Sequence, residues 1–392
     1  MNYYNIAADF KKETIDGYAR LNSMYEDSKV IETYGQITVG NICESGRVYN
    51  DIPKIDIKVL KEYIVYSRLK GIDFNYCLNG SCMGNKEFTD EGAKSIIKFL
   101  HQLYDAGVRR LTVALPSLIE LIKSTGLDFE IKVSIICQIN SANKALVYKK
   151  IGVDRIVVDE SLNRDFESLK RIRNAFGEKV EVIINSLCIK DCTYRMFHYN
   201  QTGHDSVDKL TSSIITFYNH KCMLRRAEKV ENMLKLCWIR PEDIKLYSNI
   251  GINYYKIQGR HTAIKGDPVR AVECYFKQSY DGNLIDLLEL FNSPYNFKIY
   301  IDNKKLDGYI NSFFNIPNFC KNDCLNCKYC ELYAKKCTEY EKANEINALA
   351  TKFYKEYDEY TNEINTICKN REYDELSNIK LVDSDRLSFD LD

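Results

Sequence analysis

Between about residue 30 and residue 265, short apolar runs alternate with stretches whose apolar residues recur at helical spacing. The runs that read as strands are Thr33–Val39, Asp73–Leu78, Arg110–Leu115, Ile131–Ile139, Arg155–Asp159, Val180–Asn185, Leu234–Ile239 and Tyr254–Ile257. EGAKSIIKFLHQLYDAG and FESLKRIRNAFGE, lying between them, carry apolar residues on one helical face. Eight strand–helix units with short connections predict an α/β fold of the (β/α)8 barrel type, with its active site at the C-terminal strand ends. A doubly wound open sheet is disfavoured because no GxGxxG turn follows any strand. The first thirty residues are expected to form a helix on the barrel bottom. Residues 31–265 would be the barrel, and 266–392 a small, mostly helical extension.

Composition adds a compartment. The chain has 392 residues with 55 basic and 55 acidic side chains, so charge gives no general reason to expect nucleic acid or an anionic membrane as partner. The stretch MNYYNIAADFKKETIDG lacks the apolar core of a signal peptide, and no run of about 18 apolar residues follows. A soluble cytoplasmic protein is therefore expected, where disulfides rarely persist. Fifteen cysteines in that setting point to metal, cluster or redox chemistry for some of them. Cys77, Cys137, Cys274 and Cys368 sit singly in apolar or helical patterns and read as small buried hydrophobes.

Other cysteines gather where a barrel places its chemistry. The strand tops read NICESGR (41–47) and NGSCMGNKEF (79–88), then Cys188 and Cys192, Cys222 in HKCMLRR, Cys237 before WIRPEDI, and KIQGRH. Four thiolates from Cys188, Cys192, Cys222 and Cys237 suffice for a tetrahedral zinc or a [4Fe–4S] cluster. Their irregular gaps leave that reading level with one of unrelated cysteines. Arg195, Arg240 and Arg260 suit a substrate carboxylate or phosphate, since a guanidinium pairs bidentately with such anions. The plain alternative is an internal ion pair, with Glu242 and Asp243 as the obvious mates. Lys256 should face the barrel interior if Ile257 faces outward. His198 could protonate a substrate oxygen or orient a ligand. Asn79 and Asn85 flank Cys82 and suit loop backbone groups.

The segments NSLCIKDCTYRMFHYN, LCWIRPEDIKLYSNIGINYYKIQGR and FNYCLNGSCMGNKEF resemble peptidase family U32, the collagenase-like peptidases. IRPEDI followed by KIQGR is the most specific part. The resemblance implies a barrel with an iron–sulfur cluster held by four cysteines, whose places Cys188, Cys192, Cys222 and Cys237 occupy in order. The first gap is shorter here than in better-known members, which makes Cys82 the alternate ligand. Two activities are implied. One is peptidase action on peptide or collagen-like substrates, although neither HExxH nor GxSxG occurs. The other, as in relatives similar to oxygen-independent hydroxylases of RNA bases or quinone precursors, is a redox modification, and a cluster favours it. Arg260, His198, Lys256 and Arg240 are the expected catalytic and binding residues. The substrate would be a small molecule, peptide or RNA, with an electron donor or partner protein. A non-catalytic metal-bearing partner or scaffold protein is the remaining class.

Residues 320–337 read CKNDCLNCKYCELYAKKC. Cys320, Cys324, Cys327 and Cys330 in an intracellular chain signal a second metal or cluster. CxxxCxxC is the radical-SAM spacing, but that chemistry needs its own barrel downstream and only 65 residues follow Cys327. A second iron–sulfur cluster and a structural zinc both fit.

Overall fold

The computed structural model describes residues 1–46, 54–206, 217–292 and 297–356, together with Thr366. A closed barrel is built from β1 (Asn2–Ala7), β2 (Ser28–Gly35), β3 (Asp73–Leu78), β4 (Arg110–Val113), β5 (Glu130–Val133), β6 (Arg155–Val157) and β7 (Val180–Ile183). The chain then passes through β8 (Asn185–Ile189) and β9 (Leu236–Trp238) before β10 (Tyr254–Ile257) closes the barrel between β7 and β1. All barrel pairings are parallel, with Asn5 beside both Lys256 and Glu32 and Lys132 beside both Thr112 and Arg155. The eight-stranded (β/α)8 barrel is thus the fold.

Two expected elements differ. The first thirty residues do contain a helix, Lys12–Met24, but Asn2–Ala7 before it is a stave of the barrel. NYYNIA looks too polar for a buried strand. It fits here because the interior at that level is polar: Asn5 is fully buried and its Nδ2 donates to Glu181. The run Leu234–Ile239 is no stave. Its core, β9, pairs antiparallel with β8 in a separate two-stranded sheet beside the barrel. Leu236 and Trp238 are buried, so the run is apolar because it is covered, not because it joins the barrel.

Inside the barrel, Glu32, Lys132, Arg155 and Glu181 form a buried ionic layer. Lys132 Nζ pairs with Glu32 and, at 3.1 Å, with Glu181. Arg155 Nη1 reaches Glu32 at 3.2 Å and Glu181 at 3.4 Å, while its Nη2 holds Glu130 at 3.0 Å. Ions can stay this deep because each has opposite charge and hydrogen bonds around it. Alternate residues such as Val30, Leu111, Val133 and Val182 face outward to the helices. Among the described residues, no helix is long and apolar enough to cross a membrane.

The C-terminal extension contains helices Pro268–Phe276, Leu284–Leu288, Asn311–Asn315 and Tyr329–Cys337. It packs beside β9 through aromatic rings, with Trp238 and Tyr309 5.8 Å apart and Tyr309 and Tyr329 5.6 Å apart. Of the charged stretch near the end, 348–356 is helical, while 357–365 lies outside the described residues.

Candidate functional site

Loops at the C-terminal strand ends lock together over the mouth. Glu44 O accepts from the Gly80 amide at 3.0 Å, Asn79 Oδ1 accepts from the Gly46 amide at 3.2 Å, and Ser206 Oγ accepts from the Ser45 amide at 2.9 Å. Asn79 therefore serves loop backbone, and Asn85 takes the left-handed turn beyond Cys82 with φ 60. Arg47, the end of the first strand top, lies outside the described residues. At the end of β10, Gly259 has φ 112, and a Cβ there would stand 2.0 Å from Thr262 Oγ1. Only glycine permits that turn, which carries the chain directly from Lys256 to Arg260.

Beneath these loops lies a cavity of about 260 Å³, lined among others by Tyr34, Cys188, His198, Arg226, Lys256 and Arg260. Lys256 faces inward, as the strand alternation predicts, with its Nζ 4.2 Å from the centre of the Tyr34 ring. Burial, reinforced by the nearby Lys132 charge, lowers its pKa to about 8. Arg260 is buried and donates from Nη1 to Gln36 Oε1. Among the described residues, no carboxylate lies at ion-pairing distance from either cation.

The two other arginines are engaged elsewhere. Arg195 donates from Nη1 to Asp159 at 2.7 Å and Ser161 at 3.1 Å, and from Nη2 to Ile189 O at 2.8 Å. Arg240 does not line the mouth cavity. It forks onto Asp243 at 3.1 and 2.9 Å and reaches Asn303 O at 2.7 Å and Asp307 at 3.0 Å, tying the C-terminal extension to the barrel. Glu242 is taken by Lys304 at 3.0 Å. Neither Glu242 nor Asp243 is thus the mate of Arg260, and the plain ion-pair reading fits Arg240 instead.

Cys188 on β8 stands between the cavity and a group of buried side chains. Burial pushes its thiol well up, the Glu160 carboxylate adds to this, and Cys222 and Cys237 contribute while Arg195 opposes. Cys237 on β9 is pushed up to about 12, chiefly by burial and then by Glu160. Cys188, Cys222 and Cys237 therefore share one neighbourhood, although Cys222 comes from helix Phe217–Ala227 and Cys237 from β9. Cys192 lies in the turn after β8, its carbonyl accepting from the Arg195 amide at 3.2 Å. Cys82, after β3, accepts at Sγ from the Gly84 amide at 3.3 Å. Among the described residues, no group of three His, Cys, Asp or Glu side chains is arranged to hold a single metal ion. A [4Fe–4S] cluster makes a different demand, since each thiolate binds its own iron and the sulfurs stand farther apart.

Sequence reasoning missed Glu160 and Arg226. Glu160 is buried near Cys188 and 3.4 Å from Arg195, and burial raises its pKa against the pull of that guanidinium. The acidic pair Asp159–Glu160 at a strand end was the available signal. Arg226, one helical turn beyond Cys222, lines the cavity and donates from Nη2 to Leu187 O. Cys77 is buried in the core, Cys137 donates to Ala114 O at 2.9 Å, and Cys368 lies outside the described residues. The cysteines from 320 to 330 gather around a separate hollow.

Residues 47–283 match the model of "Peptidase family U32". The "Uncharacterized protease MJ1657" of Methanocaldococcus jannaschii is 31% identical over 283 residues, covering 72% of this chain and 82% of that protein. Among solved structures, "The Structure of the U32 Peptidase Mk0906" aligns with a TM-score of 0.47 at 16% identity, over 66% of this chain and 93% of that one. A Thermobaculum terrenum O-GlcNAc hydrolase mutant aligns at 0.34 and 8% identity, over 49% of this chain and 47% of that one. The fold stands on its own strands. The family match spans more than half of the chain, and this chain belongs to peptidase family U32.

Proposed function

We propose that this protein is an iron–sulfur enzyme that modifies an anionic substrate at the barrel mouth by oxygen-independent, hydroxylation-type redox chemistry rather than by hydrolysis. The observation that carries the reading is the pair Lys256 and Arg260, two buried cations without a carboxylate mate among the described residues, opening onto the cavity that Cys188 also lines. Buried charge without a partner is costly, and an anionic group of the substrate would relieve it. Arg260 would grip that group with its planar fork, and Lys256 would neutralise it from below. His198, on the cavity wall, would hold or deliver a proton at a substrate oxygen. Cys188, Cys222 and Cys237, with Cys192 or Cys82 as the fourth, would hold a [4Fe–4S] cluster, whose chemistry when bound is electron transfer.

The peptidase reading draws on the family's name and on that of its archaeal relative. Against it, burial and the neighbouring Glu160 carboxylate push the Cys188 thiol well up, whereas a Cys–His peptidase needs an imidazole that draws the proton off its thiol. Anaerobic purification with iron and sulfide analysis tests the proposal. Brown protein that bleaches under dithionite and in air is expected. Colourless, iron-free protein that cleaves unfolded peptides after anaerobic reconstitution would overturn it.

A further inference from the structure

Cys320, Cys324, Cys327 and Cys330 surround a hollow of about 300 Å³, away from the barrel mouth. Cys320, Cys324 and Cys327 are exposed, so packing does not account for them. The loop that presents them is anchored to the fold. Phe319 packs edge-on against Tyr329 with ring centres 4.8 Å apart, and the Tyr329 hydroxyl donates to Tyr309 O at 2.8 Å. Lys190 Nζ, two residues beyond Cys188, donates to Asn322 Oδ1 at 2.7 Å, two residues beyond Cys320. Asn318 and Asn322 adopt left-handed backbone, φ 53 and 58, a conformation asparagine tolerates better than most residues.

We propose that these four cysteines hold a second cluster, of the [4Fe–4S] type, and not a zinc ion. Zinc draws four sulfurs to about 2.3 Å from one point and leaves no space between them. Among the described residues no three such side chains converge on one point, and the four cysteines stand instead around a hollow of about 300 Å³, which suits a cofactor with a volume of its own. Four thiolates around iron are anionic, and Lys229, Lys235, Lys321 and Lys328 line the same hollow against Glu231, Asp323 and Glu331, the last of them 3.4 Å from Lys328. Its inner wall leads toward the barrel cysteines. Cys330 Sγ lies 3.3 Å from the Tyr309 hydroxyl, and that hydroxyl donates to Leu234 O at 2.9 Å. Arg164 joins the same hydroxyl at 3.2 Å to Leu236 O at 2.8 Å, the residue before Cys237. A hydrogen-bonded chain thus runs from the exposed second site to the residue before Cys237. The four cysteines of this loop need none of the barrel cysteines to hold a cluster.

The test uses the full chain, purified and reconstituted without oxygen, with iron, sulfide and zinc analysis and Mössbauer spectra. Cys324→Ser and Cys327→Ser change exposed positions, and circular dichroism melts check that each variant folds. Each is expected to lose about four irons and four sulfides per chain, while Cys188→Ala keeps these. Iron content unchanged in both serine variants would overturn the proposal, and so would about one zinc per chain that the same variants lose. If the serine variants remove all iron and Cys188→Ala removes none, the barrel reading fails and this one stands.

Discussion

The Lys256 ammonium lies 4.2 Å from the centre of the Tyr34 ring, a cation over an aromatic face on the floor of the mouth cavity. The ring offers less than water or a carboxylate would. With a folded pKa of about 8, below its ordinary value of 10.5, Lys256 binds fewer protons in the native state between those limits. Stability from this group therefore rises with pH across about 8 to 10.5, and below pH 8 the buried charge costs up to about 3 kcal/mol. Lys256→Met should raise the melting temperature at pH 7 and lose that advantage near pH 10.5. A destabilised variant at both pH values would show that the ammonium is held by more than the ring.

Arg260→Lys should leave the fold intact and weaken anion binding. Lysine cannot reproduce the planar fork, and a charged hydrogen bond is worth about 1–3 kcal/mol, so affinity for phosphate or a small carboxylate should fall roughly ten-fold or more. Titrations and thermal melts on that variant are the check. A lower melting temperature with unchanged binding would make Arg260 a purely structural residue.

Arg240→Ala should behave in the opposite way. It strips the buried Asp243 of its fork and releases Asn303 and Asp307 of the C-terminal extension. Leaving one partner of a buried pair uncompensated costs about 3–5 kcal/mol. Denaturant unfolding should register that loss, while anion binding by the folded fraction stays unchanged.

Cys188→Ala, Cys222→Ala and Cys237→Ala should each remove barrel iron, and Cys77→Ala, a core position, should not. Between Cys192→Ala and Cys82→Ala, the variant that lowers iron content identifies the fourth ligand. Iron retained in all three of the first group would mean that the barrel cysteines bind none.

The alternation of apolar runs and helical faces was enough to specify the barrel. β3 and β10 have the residues the pattern predicts, and the inward orientation of Lys256 follows from alternation along a single strand. The candidate soft ligands were legible as residues, because sulfur chemistry belongs to the residue type. Local pattern failed where burial and polarity part company. β1 fell within the expected N-terminal helix, and it serves as a stave because its Asn5 meets Glu181, a residue 176 positions away. β9 looked like a stave because it is buried, yet its partner is β8 and not the barrel. The roles of the arginines lay beyond the sequence for the same reason. Arg195, Arg240 and Arg260 are alike as residues, and Glu242 and Asp243 stand close to Arg240 in the chain. Closing the barrel placed Gln36 against Arg260, Asp159 against Arg195 and Asp307 against Arg240. Periodicity records which face of an element is covered, but the energy of a charge depends on distance to its neighbours, and only tertiary closure sets that distance.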